Sequence, residues 1–313
     1  MNTNIFTPLR YPGGKTILTD YLSKIISCNS LNKAIYVEPF CGGSGAAIRL
    51  LINNQTERII LNDADKSIFA FWYSLKHFGD SFINLIEKTN VSIDEWIIQK
   101  SIFTAKNCNS DEDLLKLGFS TFFLNRCNRS GILNAGPIGG NSKEKQENAS
   151  FKINARFNKP PLIEKVKAII RVSDRIDIYN LDALKFLKNV INTKPNSEKE
   201  NIIIYLDPPY YSKGSSLYLN YYHNHDHELL RNFLFDHQNS YRWLLSYDNV
   251  NAIKELYRDF DLFSFYLNYS AHNCKLGSEL LIHSCNTNLP IDKTVSIINQ
   301  KKVELLQISK IAI

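Results

Sequence analysis

The stretch Ile203-Ile-Tyr-Leu-Asp-Pro-Pro-Tyr210 decides the reading of this chain: an apolar strand that stops at an acid, two prolines and an aromatic ring. Proline has no N–H and a fixed φ, so two in succession end the strand rigidly and leave the Pro208 carbonyl without a ladder partner. At the carboxyl end of a strand in an open α/β sheet, such groups face the ligand crevice. Asp207 and the Pro208 carbonyl then form a pair of acceptors, with Tyr210 beside them. That combination suits a flat heterocycle bearing an NH2 group, which offers two N–H donors and a face to stack on.

Outward from this run, short β-rich segments alternate with helical patterns, as an α/β sheet requires. Strands are expected at 34–39, 58–62, 176–180, 201–206, 243–247, 261–269 and 279–284, the last two as a closing hairpin. Helical periodicity follows at 45–54, 66–76, 182–191, 226–237 and 250–258, with Asp226 as the N-cap of the fourth of these. Between 77 and 175 the strand signal disappears. Helical segments at 92–106 and 111–127 lead into a loop from Ser130 to Pro161, an all-α insertion or a separate lobe. The expected fold is α/β and Rossmann-like, with about seven mixed strands. Residues 1–76 and 165–313 form one domain and residues 77–164 a helical second one. The tail beyond Asn286 carries no clear pattern.

With 313 residues, 44% of them hydrophobic, the chain is large enough for one sizeable core and a satellite. No signal peptide is visible, and no apolar run approaches the roughly 20 residues of a membrane span. Six scattered cysteines read as reduced thiols of a cytoplasmic protein. Charge is unevenly placed. Arg126 to Arg171 holds ten Lys/Arg against three Glu, net +7, so the remainder of a chain with total charge +6 carries −1. A near-neutral body with one basic, Gly- and Asn-rich segment has the makings of an anion-binding surface.

A second motif runs from Tyr36-Val-Glu-Pro-Phe-Cys-Gly-Gly-Ser-Gly45 into the helical AAIRLLIN. Glycines there allow tight turning and close backbone approach by a nucleotide-like cofactor, and Asp63, just past the next strand, is placed to bind ribose hydroxyls. Near the N-terminus, Gly14-Lys15-Thr16 has the ending of a phosphate loop, but such a loop needs glycine at position 9, where Leu stands. The glycine pair and Lys15 instead suit a ligand carboxylate.

Together these motifs resemble the Dam-like adenine-N6 DNA methyltransferases, in order along nearly the whole chain. The matching elements are Tyr11-Pro-Gly-Gly-Lys15, Val37 to Gly45, Asn62-Asp63, Phe122-Phe-Leu-Asn-Arg126, Phe151 to Pro160, Asp207-Pro-Pro-Tyr210, Tyr247-Asp248 and Glu279-Leu-Leu281. The resemblance implies S-adenosylmethionine as cofactor, held by Tyr11, Gly14, Lys15, Glu38, Phe40, Gly42, Gly43, Asp63, Asp182 and Asp207. It implies catalysis by Asp207, Pro208, Pro209 and Tyr210 on an adenine extruded from double-stranded DNA. Contacts to DNA would come from Asn125, Arg126, Arg129, Ser130, Asn134, Lys143, Lys152, Arg156 and Lys159. A cognate restriction endonuclease is a candidate partner, and a monomer or weak dimer the expected state.

The stretch Cys127-Asn-Arg-Ser-Gly-Ile-Leu-Asn134 departs from the GATC-reading members. Arg129 stands where they carry an aromatic, Ser130 where they carry asparagine, and Asn134 where they carry arginine. A site other than GATC is therefore expected. The alternatives are an N4-cytosine methyltransferase, which usually has serine in place of Asp207, and a non-catalytic DNA-binding regulator of the same fold. No metal is expected: His272, Cys274, His283 and Cys285 lack the tight pairing of thiolate-containing sites.

Overall fold

The computed structural model describes residues 7–10, 14–31, 33–211, 222–271, 273–290 and 305–307. The strands are β1 (Ile35–Glu38), β2 (Arg58–Asn62), β3 (Ile176–Tyr179), β4 (Ile202–Leu206), β5 (Arg242–Asp248), β6 (Leu262–Ala271), β7 (Asn273–His283) and β8 (Leu305–Gln307). They form one mixed sheet in the order β3-β2-β1-β4-β5-β7-β6-β8. The first five are parallel, and β7 then pairs antiparallel with both β5 and β6. The seven expected strands are all present, including the hairpin. The short eighth, antiparallel to β6, lies in the tail where the sequence shows no pattern.

Apolar residues alternate between the two faces of the sheet. Tyr36, Ile59, Leu61, Ile203, Tyr205 and Leu244 enter one core, while Val37, Ile60, Ile204, Leu206 and Leu245 enter the other. The first face is covered by α1 (Thr19–Cys28), α2 (Gly45–Ile52), α3 (Lys66–His77), α4 (Gly79–Lys88), α5 (Ile93–Ala105), α6 (Asp111–Cys127) and α8 (Lys159–Ile170), while the short α7 (Lys143–Asn148) adds no residue to this core. The second is covered by α9 (Ala183–Phe186) with its π-helical extension Leu187–Ile191, by α11 (Asn224–Asp236) and by α12 (Asn251–Leu256). A short α10 (Asn196–Lys199) precedes β4.

Helices of the insertion are not a lobe with a core of its own. Phe82, Phe103, Phe122, Phe123 and Val166 belong to the same buried cluster as Tyr36, Ile48 and Ile203. The domain border expected between 164 and 165 falls inside α8, so it would cut a helix. The expected loop ending at Pro161 is also shorter than anticipated: Pro160 and Pro161 sit in the first turn of α8, where a missing N–H costs no helical bond. Among the described residues no helix is long and apolar enough to cross a membrane.

Candidate active site

β1 sits between β2 and β4, so the chain leaves in opposite directions from neighbouring strands, and a crevice opens at their carboxyl ends. Two turns meet there: Pro39 to Ser44 after β1, and Asp207 to Tyr210 after β4. The cavity is lined by Lys15, Glu38, Phe40, Gly42, Gly43, Asp63, Asp182, Tyr205, Asp207, Pro209 and Tyr222, among others. Backbone glycines, aromatic rings and a few convergent polar groups make it a candidate ligand site. Gly14, exposed at the lip, also lines it. Tyr11 lies outside the described residues.

The glycine turn is gripped from both sides. The Gly42 N–H donates to Asp63 Oδ2 at 2.9 Å, and Trp72 Nε1 of α3 donates to the Gly42 carbonyl at 2.9 Å. Gly42 has φ of 44°, a left-handed conformation that favours glycine. Gly45 is required for another reason: a Cβ there would lie 2.1 Å from Thr16 Oγ1, so its absence lets the Lys15 segment close on α2. Asn62, fully buried, joins three strand ends, its Nδ2 donating to the carbonyls of Pro39 (2.9 Å) and Leu181 (3.0 Å). Asp63 also accepts from the Asp65 N–H at 2.9 Å. Burial nevertheless pushes its carboxyl up to about 7 against those two backbone bonds. Glu38 behaves likewise: burial raises it to about 7, opposed by the Ser44 hydroxyl, which donates to it at 2.8 Å. Asp182 is exposed and caps α9, accepting from the Lys185 N–H at 3.1 Å.

Both oxygens of Asp207 are committed. Tyr205 Oη donates to Ser246 Oγ at 2.9 Å, and Ser246 Oγ donates to Asp207 Oδ1 at 2.8 Å. Lys15 Nζ donates to Asp207 Oδ2 at 2.9 Å and to Tyr210 Oη at 3.0 Å, and stands 3.5 Å from the Glu279 carboxylate. The Tyr210 hydroxyl donates to Glu279. The carboxylate expected opposite Lys15 is thus supplied by the protein itself. Burial alone would neutralise this lysine, yet Asp207, Glu279 and Tyr210 hold its pKa well above the ordinary value.

Among the DNA-side expectations, Asn125 turns inward. Its amide is 1% exposed, accepts from the Arg10 N–H at 2.6 Å and donates to the carbonyls of Arg10 (3.0 Å) and Gly131 (2.9 Å). It clamps the loop from beneath, which corrects its expected contact with DNA. Arg126 is half-buried, bonding the Pro8 and Arg156 carbonyls. Burial, with Arg10 and Arg156 close by, pulls its guanidinium down to about 10. Arg129, Ser130, Asn134, Lys143, Lys152 and Arg156 are exposed. Asn134 Oδ1 accepts from Lys100 at 3.4 Å, Lys143 pairs with Asp94 at 3.1 Å, and Lys159 is tied to the Glu87 carbonyl at 2.8 Å.

A family model for the D12 class N6 adenine-specific DNA methyltransferases matches residues 11–270. The chain belongs to this family. As one of its members it is an enzyme that methylates adenine in DNA. No curated protein matches the chain significantly. The residues of this methyltransferase that sequence reasoning passed over are Tyr205, Ser246, Trp72 and Tyr222, and Glu279 was matched without a role. Tyr205 carries a legible signal, being a hydroxyl-bearing residue inside an otherwise apolar strand. Trp72 and Tyr222 carry none, because only the folded chain brings them to the turn and the pocket.

One other expectation changes. The N-cap of α11 is His223, and Asp226 is the third helical residue, accepting from the His223 N–H at 2.8 Å in a capping box. His272 and the side chain of Cys274 lie outside the described residues. Cys285, on the other side of the hairpin, donates to Asn239 Oδ1 at 2.8 Å.

Proposed function

We propose that this methyltransferase moves the methyl group of S-adenosylmethionine to N6 of an adenine turned out of double-stranded DNA, at a site other than GATC. The observation that carries the reading is Asp207, fixed through both oxygens in the lining of the cavity at the strand ends. The donor set of that cavity fits the cofactor. Asp63 offers a carboxylate for ribose hydroxyls, Phe40 and Tyr222 offer aromatic surface, and the turn held by Gly42 and Gly45 keeps side chains out of the slot. When bound, S-adenosylmethionine supplies an electrophilic methyl group.

The adenine amine is a weak nucleophile because its lone pair is delocalised into the ring. Asp207 and the Pro208 carbonyl accept its two N–H bonds and favour a more tetrahedral nitrogen, with the lone pair free to point into the cavity. The fixed geometry of Asp207 removes most of the orientational cost of attack. Its carboxylate is also the nearest base for the proton that the methylated amine must lose. Lys15 holds Asp207 stationary rather than touching the base. A target atom inside a stacked duplex is out of reach, so the base is extruded, and Tyr210 and Pro209 flank the space it enters. Exposed Arg129, Ser130 and Asn134 would then read neighbouring base edges, while Lys152 and Arg156 meet phosphates.

The test is direct. The purified protein is incubated with S-adenosylmethionine and mixed-sequence DNA, and the methylated positions are mapped. N6-methyladenine confined to one motif other than GATC is expected. Methylation of cytosine, or of every GATC, would overturn the reading.

A further inference from the structure

We propose that His227 is a positioning residue that couples the wall of the cofactor cavity to the residue following the catalytic tetrapeptide. The inference rests on the reading of that cavity as the S-adenosylmethionine site.

His227 lies one turn into α11 and is 1% exposed. Its Nδ1 is 2.7 Å from the Tyr247 hydroxyl. Three tyrosine rings surround the imidazole, with centroids 5.2 Å (Tyr211), 5.4 Å (Tyr222) and 5.5 Å (Tyr247) away. Each neighbour belongs to a different part of the site. Tyr211 directly follows Asp207-Pro-Pro-Tyr210, and its N–H donates to Asp248 Oδ1 at 3.0 Å. Tyr222 lines the cavity and meets Phe40, at the end of β1, edge-on at 5.6 Å. Tyr247 is buried on β5 beside Ser246, the residue that donates to Asp207. A chain of ring contacts therefore runs from Phe40 through Tyr222 and His227 to Tyr211.

The chemistry of the ring fits this hub. Burial pulls the His227 pKa below the ordinary histidine value against the opposing charges of Asp248 and Asp226, so a neutral imidazole fills the space between the tyrosines. Edge-to-face contacts have preferred geometry, so fixing one ring restricts the next. A ligand lying on Phe40 and Tyr222 fixes Tyr222, and the His227 ring passes that constraint to Tyr211 and the catalytic turn. Binding free energies couple reciprocally, so a change at Tyr211 must be felt at the cofactor. Tyr211 does not line the cavity, which makes it a clean reporter.

The experiment is a double-mutant cycle on the full chain, with S-adenosylmethionine affinity measured by calorimetry and folding checked by circular dichroism. Tyr211→Ala and Tyr222→Ala are made singly and together, in the natural background and with His227→Asn or His227→Phe. In the natural background, Tyr211→Ala should weaken cofactor binding about three- to tenfold and be non-additive with Tyr222→Ala. With His227→Asn the effect of Tyr211→Ala should fall to less than twofold. His227→Phe, which keeps a ring in place, should restore part of it. A merely structural role would lower the melting temperature and leave the coupling intact. Cofactor affinity unchanged by Tyr211→Ala, or coupling that survives without His227, would overturn the proposal. Should His227→Asn fail to fold, His227→Gln takes its place in the cycle with the same expected loss of coupling. If the natural protein does not bind S-adenosylmethionine at all, the reading of the cavity fails instead.

Discussion

The strand ends that line the cavity and the basic loop after α6 place their polar groups in opposite ways. At the carboxyl ends of β1, β4 and β5, charges are buried and bonded to one another: Lys15 with Asp207 and Glu279, and Asp207 with Ser246. In the loop after α6 the buried polar residues serve only as braces, and the charges stand in water. Asn125 and Asn128 hold the loop from inside, Asn128 Nδ2 donating to the Ile132 and Leu133 carbonyls at 3.0 Å, while Gln146 ties the Ile138 carbonyl to the Ile153 N–H. Arg129, Lys152 and Arg156 are left exposed. Chemistry gains from a low-dielectric, preorganised site, whereas reading needs side chains free to meet a partner. The first should be intolerant of substitution and the second adjustable.

The strongest way to break this contrast is Lys15→Met. Removing one partner of a buried ion pair leaves uncompensated charge and costs about 3–5 kcal/mol of stability. Asp207 and Glu279 would then crowd each other without a cation, and the Glu279 carboxyl, already raised by burial and held back by Lys15, would rise further. A carboxylate so raised contributes stability that is present at low pH and lost as pH rises through the folded pKa. The deficit in urea melts should therefore be larger at pH 8 than at pH 5. A deficit independent of pH would show that the lysine neutralises nothing.

Asp207→Ala comes next. Loss of one preorganised contact costs about 10²- to 10³-fold in rate, so single-turnover methylation should drop by at least that while DNA affinity holds. A variant keeping more than a tenth of the natural rate refutes the assigned role. On the loop side, Arg129→Ala or Asn134→Ala should relax or move the methylated motif by the roughly 1–3 kcal/mol that one good base contact is worth. Cofactor binding should stay unchanged, and sequencing of methylated random libraries reads the outcome. An unaltered motif would place the reading elsewhere.

Asp63 sharpens the comparison from the cofactor side. Its carboxyl titrates at about 7, and only the ionised form accepts from both ribose hydroxyls. Affinity for S-adenosylmethionine should rise with pH up to about 7 and level off above, and Asp63→Asn should bind more weakly without that dependence. A flat profile for the natural protein would remove Asp63 from the ribose. The smallest effect is expected from Lys152→Glu with Arg156→Glu, lowering the slope of log affinity against log salt by up to about one unit per lost phosphate contact. An unchanged slope would move the DNA track off this loop.

Much of the catalytic edge was legible because its signals are local. The apolar run into Asp207-Pro208-Pro209 and the glycines after β1 announce strand ends in a few residues each. The loop is less legible, since Asn125 reads as a polar residue near a basic segment and only the fold shows it turned inward on Arg10. Helix α1 is not among the expected helices, although Tyr21, Leu22, Ile25 and Ile26 recur at helical spacing and are buried. The share taken by Ser246 and Glu279 comes from strands that are neighbours only in the sheet, and no spacing within the sequence encodes it.

The Lys15 pair also sets an order in time. Residues leave a ribosome from the N-terminus onward, and Lys15 lies 192 positions ahead of Asp207. At about 5–20 residues per second the lysine waits roughly 10 to 40 s for its first counter-ion, and longer for Glu279. Until then its ammonium remains in water and the nascent chain has no finished methylating centre. The same contact that steadies the carboxylate ties the completion of the site to strands made long after the lysine.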